Sequence, residues 1–114
     1  MNPGDVVLIP LPQLGGGGAA KLRPALALTL LPGPYQNVLL CGISTQLHLI
    51  QANWDERIQP GDGDFVASGL HQTSVIRLGY LYAAEAMEIT GIIGRIDPTR
   101  LVRLRTRLAD HVRP

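Results

Sequence analysis

The chain is short of several residue types, and each shortage removes a class of explanation. Among its 114 residues there is one cysteine, Cys41, so no internal disulfide can brace the fold. Cys41 lies within the apolar stretch NVLLCGI, where an inert, packed core thiol is expected, and a reducing, cytoplasmic setting is expected with it. No apolar run approaches the roughly 18 to 20 residues that span a bilayer, so no membrane partner is expected. Met1 is followed by Asn2, Pro3, Gly4 and Asp5, without the basic start and apolar segment of a signal peptide. The three histidines, His48, His71 and His111, are scattered over separate segments, which argues against a metal site. No serine stands in a Gly-x-Ser-x-Gly setting, so a hydrolase nucleophile is not indicated. The four consecutive glycines of LGGGGAA, residues 14–20, are not followed by Gly-Lys-Ser/Thr or by a helical pattern. They read as a flexible hairpin loop rather than a phosphate cradle.

Charge is also sparse, at 17% of residues, and it is unevenly placed. Residues 1–94 carry four cations against seven carboxylates, net −3, and residues 95–114 carry six arginines against two aspartates, net +4. A basic segment of this kind can touch nucleic acid or form the solvated face of a helix, and the helix face is the expectation. Asp97 is placed to cap such a helix, with Pro98 in its first turn. Leu101, Leu104, Leu108 and Val112 then share one face, and Arg100, Arg103 and Arg107 share the opposite one.

What the chain does have is a series of apolar, β-branched runs. GDVVLIPL reads as a first strand closed by Pro10 and Pro12. RPALALTLL and NVLLCGIST follow as two strands around the turn PGPYQ, apolar enough to be covered on both faces or to lie in a barrel wall. Residues 47–72 are less regular, with QPGDGD as a loop in which Asp62 and Asp64 serve a turn rather than a cation. TSVIRLGYLYA and MEITGIIGRI complete the strands. One helix after several short strands predicts a mainly β or α+β fold, a small β-barrel with a helix packed on it, with residues 1–114 as one domain.

Arg23 and Pro24 open the second strand, an unusual place for a charged side chain and a residue that cannot donate to the ladder. If the second and third strands form an antiparallel hairpin, Arg23 lies beside the end of the third, where GISTQ supplies Ser44, Thr45 and Gln46. A guanidinium beside hydroxyls and an amide suits a phosphodiester, through a planar fork of donors and adjustable ones.

The ordered set GDVVLIPLP, a Gly-rich loop, KLRPALALT, GISTQ, SGLHQTSVIRL and GIIGRID resembles the PemK/MazF family of toxins over nearly the whole chain. The resemblance implies an SH3-like or CcdB-like barrel with a C-terminal helix, and a homodimer. It implies cleavage of single-stranded RNA without a metal or cofactor, leaving a 2′,3′-cyclic phosphate and a 5′-hydroxyl. It also implies an antitoxin encoded by an adjacent gene, with DNA binding confined to the complex of the two. By the same resemblance Arg23 and Ser44 are the catalytic residues, with Thr45 at a neighbouring polar position; Thr45, Gln46, Lys21 and Arg77 are expected to contact the substrate. The chain departs from the family in having no acidic residue in the loop before Arg23 and a serine where threonine is common. The stretch LHLIQANWDERIQPGDGD falls where members vary most. The competing reading is a CcdB-like toxin that acts on gyrase by binding alone, or a protein-interaction barrel.

Overall fold

The computed structural model describes residues 1–11 and 21–114. The hairpin loop expected at residues 14–20 lies outside the described residues. Six strands form one sheet: β1 (Asp5–Leu11), β2 (Lys21–Leu30), β3 (Asn37–Ser44), β4 (Glu56–Ile58), β5 (Ser74–Glu85) and β6 (Gly91–Arg95). Neighbours are antiparallel and the order is β4-β5-β3-β2-β1-β6. A four-residue helix α1 (Phe65–Ser68) and the long helix α2 (Pro98–Val112) complete the fold. It is mostly β with a C-terminal helix, as the sequence pattern predicts. No helix among the described residues is long and apolar enough to cross a membrane.

Apolar runs without alternation make sense because both faces of the sheet are filled. On one face Val6, Leu26, Leu28, Cys41 and Ile43 are buried with Leu104 of α2, and Leu101 and Leu108 pack beside them. On the other face lie Val7, Ile9, Leu11, Ala25, Ala27, Val38 and Leu40, partly covered by Tyr80, Tyr82 and Ile89. Successive residues of β1, β2 and β3 thus enter opposite clusters, as the two-residue period of a strand requires. Cys41 is fully buried, and burial first, with the nearby Asp55 charge adding to it, pushes its thiol up to about 12. It is the inert thiol expected.

β5 breaks this period once. It pairs with β3 through Cys41↔Leu81 and then through Gly42↔Arg77, so residues 78–80 are inserted against no β3 partner. Three is an odd number, so the insertion exchanges the faces. Ile76 and Leu78 belong to the cluster under α2, whereas Tyr80 and Ala84 belong to the other.

The sheet curls into a half-barrel, and α1 packs on the edge strand β6. Gly69, at φ 75°, and Gly94 make that contact possible. A Cβ on Gly69 would collide with the Ile93 carbonyl oxygen, and one on Gly94 with the Ala67 carbonyl oxygen.

α2 begins as expected: the Asp97 carboxylate accepts from the Thr99 N–H at 2.9 Å, with Pro98 in the first turn. Arg100 and Arg107 depart from the expected solvated face, and Arg103, though exposed, is paired with a carboxylate as well. The Arg100 side chain is 11% exposed and donates to both oxygens of Asp64 (2.8 and 3.1 Å), to Asp62 (3.1 Å) and to Glu56 (3.0 Å). Arg103 holds Glu56 through two bonds of 2.7 and 2.8 Å. Arg107 reaches Glu56 at 3.2 Å and the Trp54 carbonyl at 2.9 Å. Asp62 and Asp64 therefore do more than shape a turn, and Val112 lies beyond the packed stripe at 73% exposed.

Burial alone would raise the Glu56 carboxyl. The Arg103 hydrogen bonds and the charges of Arg103, Arg100 and Arg107 outweigh it and hold the group below its ordinary value. Asp64 is likewise held low, because bonds from Arg100 and the Asp97 N–H overcome its burial. A carboxyl with a depressed folded-state pKa contributes stability that is complete above its unfolded value of about 4 and disappears as pH falls through the folded value. Glu56→Gln leaves three arginines without their shared anion. It is expected to destabilise the fold by about 3 kcal/mol at neutral pH and to flatten the acid limb of stability against pH. Thermal melts of both proteins across the acid range check this, and parallel acid limbs would contradict it.

Candidate active site

The strand registers bring distant residues into one place. β2 meets β3 with Ala25 opposite Gly42, and that register continued sets Arg23 opposite Ser44. β3 meets β5 with Gly42 opposite Arg77 and Ser44 opposite Val75. By strand parity Arg23, Gly42 and Ser44 look toward the cluster that contains Ala25 and Leu40, away from α2. At the end of that cluster is a cleft of about 410 Å³. Arg23, Ser44, Gln46, Arg77 and Tyr80 line it, with Leu11, Pro24, Gly42, Ile43 and Leu49 as its apolar wall.

Each polar group reaches the cleft for a local reason. Arg23 is exposed at the start of β2, where Pro24 occupies the next position. Ser44 ends β3 and is half-buried, and its Oγ accepts from the Gln46 N–H at 3.1 Å. With one lone pair occupied in this way, the hydroxyl proton is left to donate elsewhere. Arg77 sits at the edge of the β5 insertion, its guanidinium carbon 5.9 Å from the Tyr80 ring centroid. The Arg77 Nε is buried and has no hydrogen-bond partner among the described residues. Gly42 makes room for Tyr80: a Cβ there would come within 2.8 Å of the ring carbon Cδ1.

The electrostatics are one-sided. No carboxylate lines the cleft, and no ion pair among the described residues involves Arg23 or Arg77. Residues 12–20 contain no acidic side chain that could supply one. Two guanidiniums and a hydroxyl therefore face a cleft with no anion of its own, a donor set matched to phosphate oxygens. Among the described residues no group of three or more His, Cys, Asp or Glu is placed to hold a metal ion.

Of the six residues singled out from sequence, Arg23, Ser44, Gln46 and Arg77 line the cleft and Thr45 and Lys21 do not. Thr45 follows Ser44 directly and is exposed, and Lys21 is exposed at the first position of β2. His48 is exposed on the short turn Leu47–Leu49; only Leu49 of that turn borders the cleft. Sequence reasoning missed Tyr80, Leu11 and Leu49. A signal for Tyr80 was present, since Gly79 inside the strand pattern IRLGYLY marks a break in the ladder.

Residues 2–112 match the family described as PemK-like, MazF-like toxin of type II toxin–antitoxin system. The chain is similar in structure to the Mycobacterium tuberculosis toxin MazF-mt6, with a TM-score of 0.65 and 18% identity over 93% of each chain. That likeness shows a shared fold. No curated protein sequence matches the chain.

Because Gly42 is the floor on which Tyr80 rests, Gly42→Ala is expected to push the ring from its place. The overpacking should destabilise the fold by about 1 to 3 kcal/mol. Thermal melting together with the Tyr80 ring resonances checks this; an unshifted ring would show that the cleft has slack at this point.

Proposed function

Since the chain belongs to the PemK-like, MazF-like toxins of type II toxin–antitoxin systems, we propose that the cleft between β2, β3 and β5 cuts single-stranded RNA. The observation that carries this reading is the pair of unneutralised guanidiniums, Arg23 and Arg77, beside a hydroxyl free to donate. In the proposed reaction the substrate's own 2′-hydroxyl attacks the adjacent phosphorus. The 5′-oxygen leaves and takes up a proton in exchange for the one the 2′-hydroxyl gives up, giving a 2′,3′-cyclic phosphate and a 5′-hydroxyl. Negative charge grows on the non-bridging oxygens as the phosphorane forms, and that is where fixed donors lower the barrier most. Arg23 and Arg77 supply the planar forks, and Ser44 donates one bond. The two guanidiniums provide the positive charge that a metal provides in other nucleases, so the reaction is proposed to be metal-independent. A guanidinium is a poor proton donor near neutral pH, so Arg23 acts by electrostatic stabilisation. Gln46, at the rim, contacts the substrate beside the scissile phosphate.

The partners proposed are a second copy of the chain and an antitoxin. With only 17% charged residues and both sheet faces apolar, a two-fold pairing covers surface that charge does not. An acidic antitoxin segment would place a carboxylate against Arg23 in the position of the RNA phosphate and so compete with substrate. Sedimentation as a dimer and mutual exclusion of antitoxin and RNA are the expected results.

The central test is incubation of the protein with long single-stranded RNA in the presence of chelator, followed by mapping of the new 5′ ends. Arg23→Ala should lose about 3 to 4 kcal/mol of transition-state stabilisation, roughly a hundred- to thousandfold in kcat/KM. Arg23→Lys should recover part of it, because an ammonium lacks the planar fork. Cleavage by Arg23→Ala at the wild-type rate would remove Arg23 from the mechanism. RNA or protein binding without any cleavage would favour the binding-only class of toxin.

A further inference from the structure

β5 carries Tyr80 into the cleft on a stretch, residues 78–80, that β3 does not pair, and Arg77 borders that stretch. Its pairing with β4 ends at Ile76, opposite Glu56, and its pairing with β3 skips from Arg77 to Leu81. The residue immediately before β4 is Asp55. Its Oδ1 accepts from the Leu78 N–H at 2.9 Å, and its Oδ2 accepts from the Gln51 N–H at 2.8 Å. The Asp55 N–H in turn donates to the Gln51 carbonyl at 2.9 Å, which closes the turn that aims the carboxylate. One residue earlier, the Trp54 indole lies against Gly79, where a Cβ would come within 3.0 Å of Nε1. The other side of Trp54 is tied to α2, through Arg107 on its carbonyl and the His111 ring at 5.0 Å.

We propose that Asp55 is a positioning residue of the cleft: by holding the Leu78 amide it fixes the β5 insertion and so the directions of Arg77 and Tyr80. A carboxylate suits this task because both its oxygens accept, and two backbone N–H groups meet it from different segments. Asparagine offers one accepting oxygen and turns an NH₂ group toward the second N–H, so it can keep only one of the two bonds. Asp55 is not among the residues that line the cleft.

The consequence for reaction rate rests on the ribonuclease reading; the consequence for geometry does not, and the test keeps them apart. Wild-type protein, Asp55→Ala, Asp55→Asn and the stability control Leu101→Ala are compared well below their melting temperatures. In Asp55→Ala, exchange of the Leu78 amide should quicken about tenfold or more, and the Arg77 Nε and Tyr80 ring resonances should move. On single-stranded RNA, kcat should fall about a hundredfold, the size of effect that a misplaced group produces, with KM changing less than about threefold. Asp55→Asn should fall between, and Leu101→Ala should melt lower with kcat unchanged. Unmoved Arg77 and Tyr80 resonances would overturn the positioning role. Moved resonances with wild-type kcat would overturn its bearing on the reaction, as would a loss of kcat in Leu101→Ala equal to that in Asp55→Ala. If the wild-type protein cuts no RNA, the ribonuclease reading fails and the resonances alone decide the role of Asp55. If Asp55→Ala does not fold, Asp55→Asn, measured in the same way, decides it.

Discussion

Three residues in β5 without partners on β3 set the arrangement of everything around the cleft. Had β5 paired continuously with β3, Tyr80 would share a face with Ile76 and Leu78 and point under α2. The insertion instead turns the second half of the strand over, so that Ile76 and Leu78 enter the helix-covered core while Tyr80 joins Arg77 at the cleft. Gly42 accommodates the ring that results, and Asp55 accepts from a backbone N–H of the inserted stretch. Each of these residues answers the same geometric fact.

Charge is divided along similar lines. The net charge of +1 conceals a mutual neutralisation in which Glu56, Asp62 and Asp64 are taken up by Arg100, Arg103 and Arg107. These pairs sit at the side of the sheet where α2 docks. Their formation leaves the carboxylates of that segment committed and keeps them from Arg23 and Arg77. A largely neutral chain can thereby present a strongly cationic cleft, since field strength depends on where opposite charges are spent and not on their sum.

Much of this was legible in the order of residues. The strands that begin at Asp5, Asn37 and Ser74 follow from apolar runs bounded by turn residues, and the Asp97-Pro98 start of α2 follows from capping chemistry, whereas β2 begins at Lys21, two residues before the expected Arg23. The meeting of Arg23 with Ser44 follows from a hairpin register alone. What escaped has physical reasons. β4 has three residues, too few for any period, and α1 has four. The α2 arginines carry the pattern of a solvated face, and nothing local says that a segment some 44 residues earlier supplies their anions. Tyr80 escaped because alternation assumes an unbroken ladder, and in RLGYLY it is broken.

The clamp between α2 and the segment around Glu56 has a further consequence, in time rather than space. α2 leaves the ribosome after all six strands, and until it does Leu104 is absent from the core and Glu56, Asp62 and Asp64 face one another without counterions. Contacts of such long sequence separation form late, after the chain has met the entropy of closing the intervening loop. The helix-covered face of the sheet is thus completed by side chains that lie far along the chain from the groups they meet.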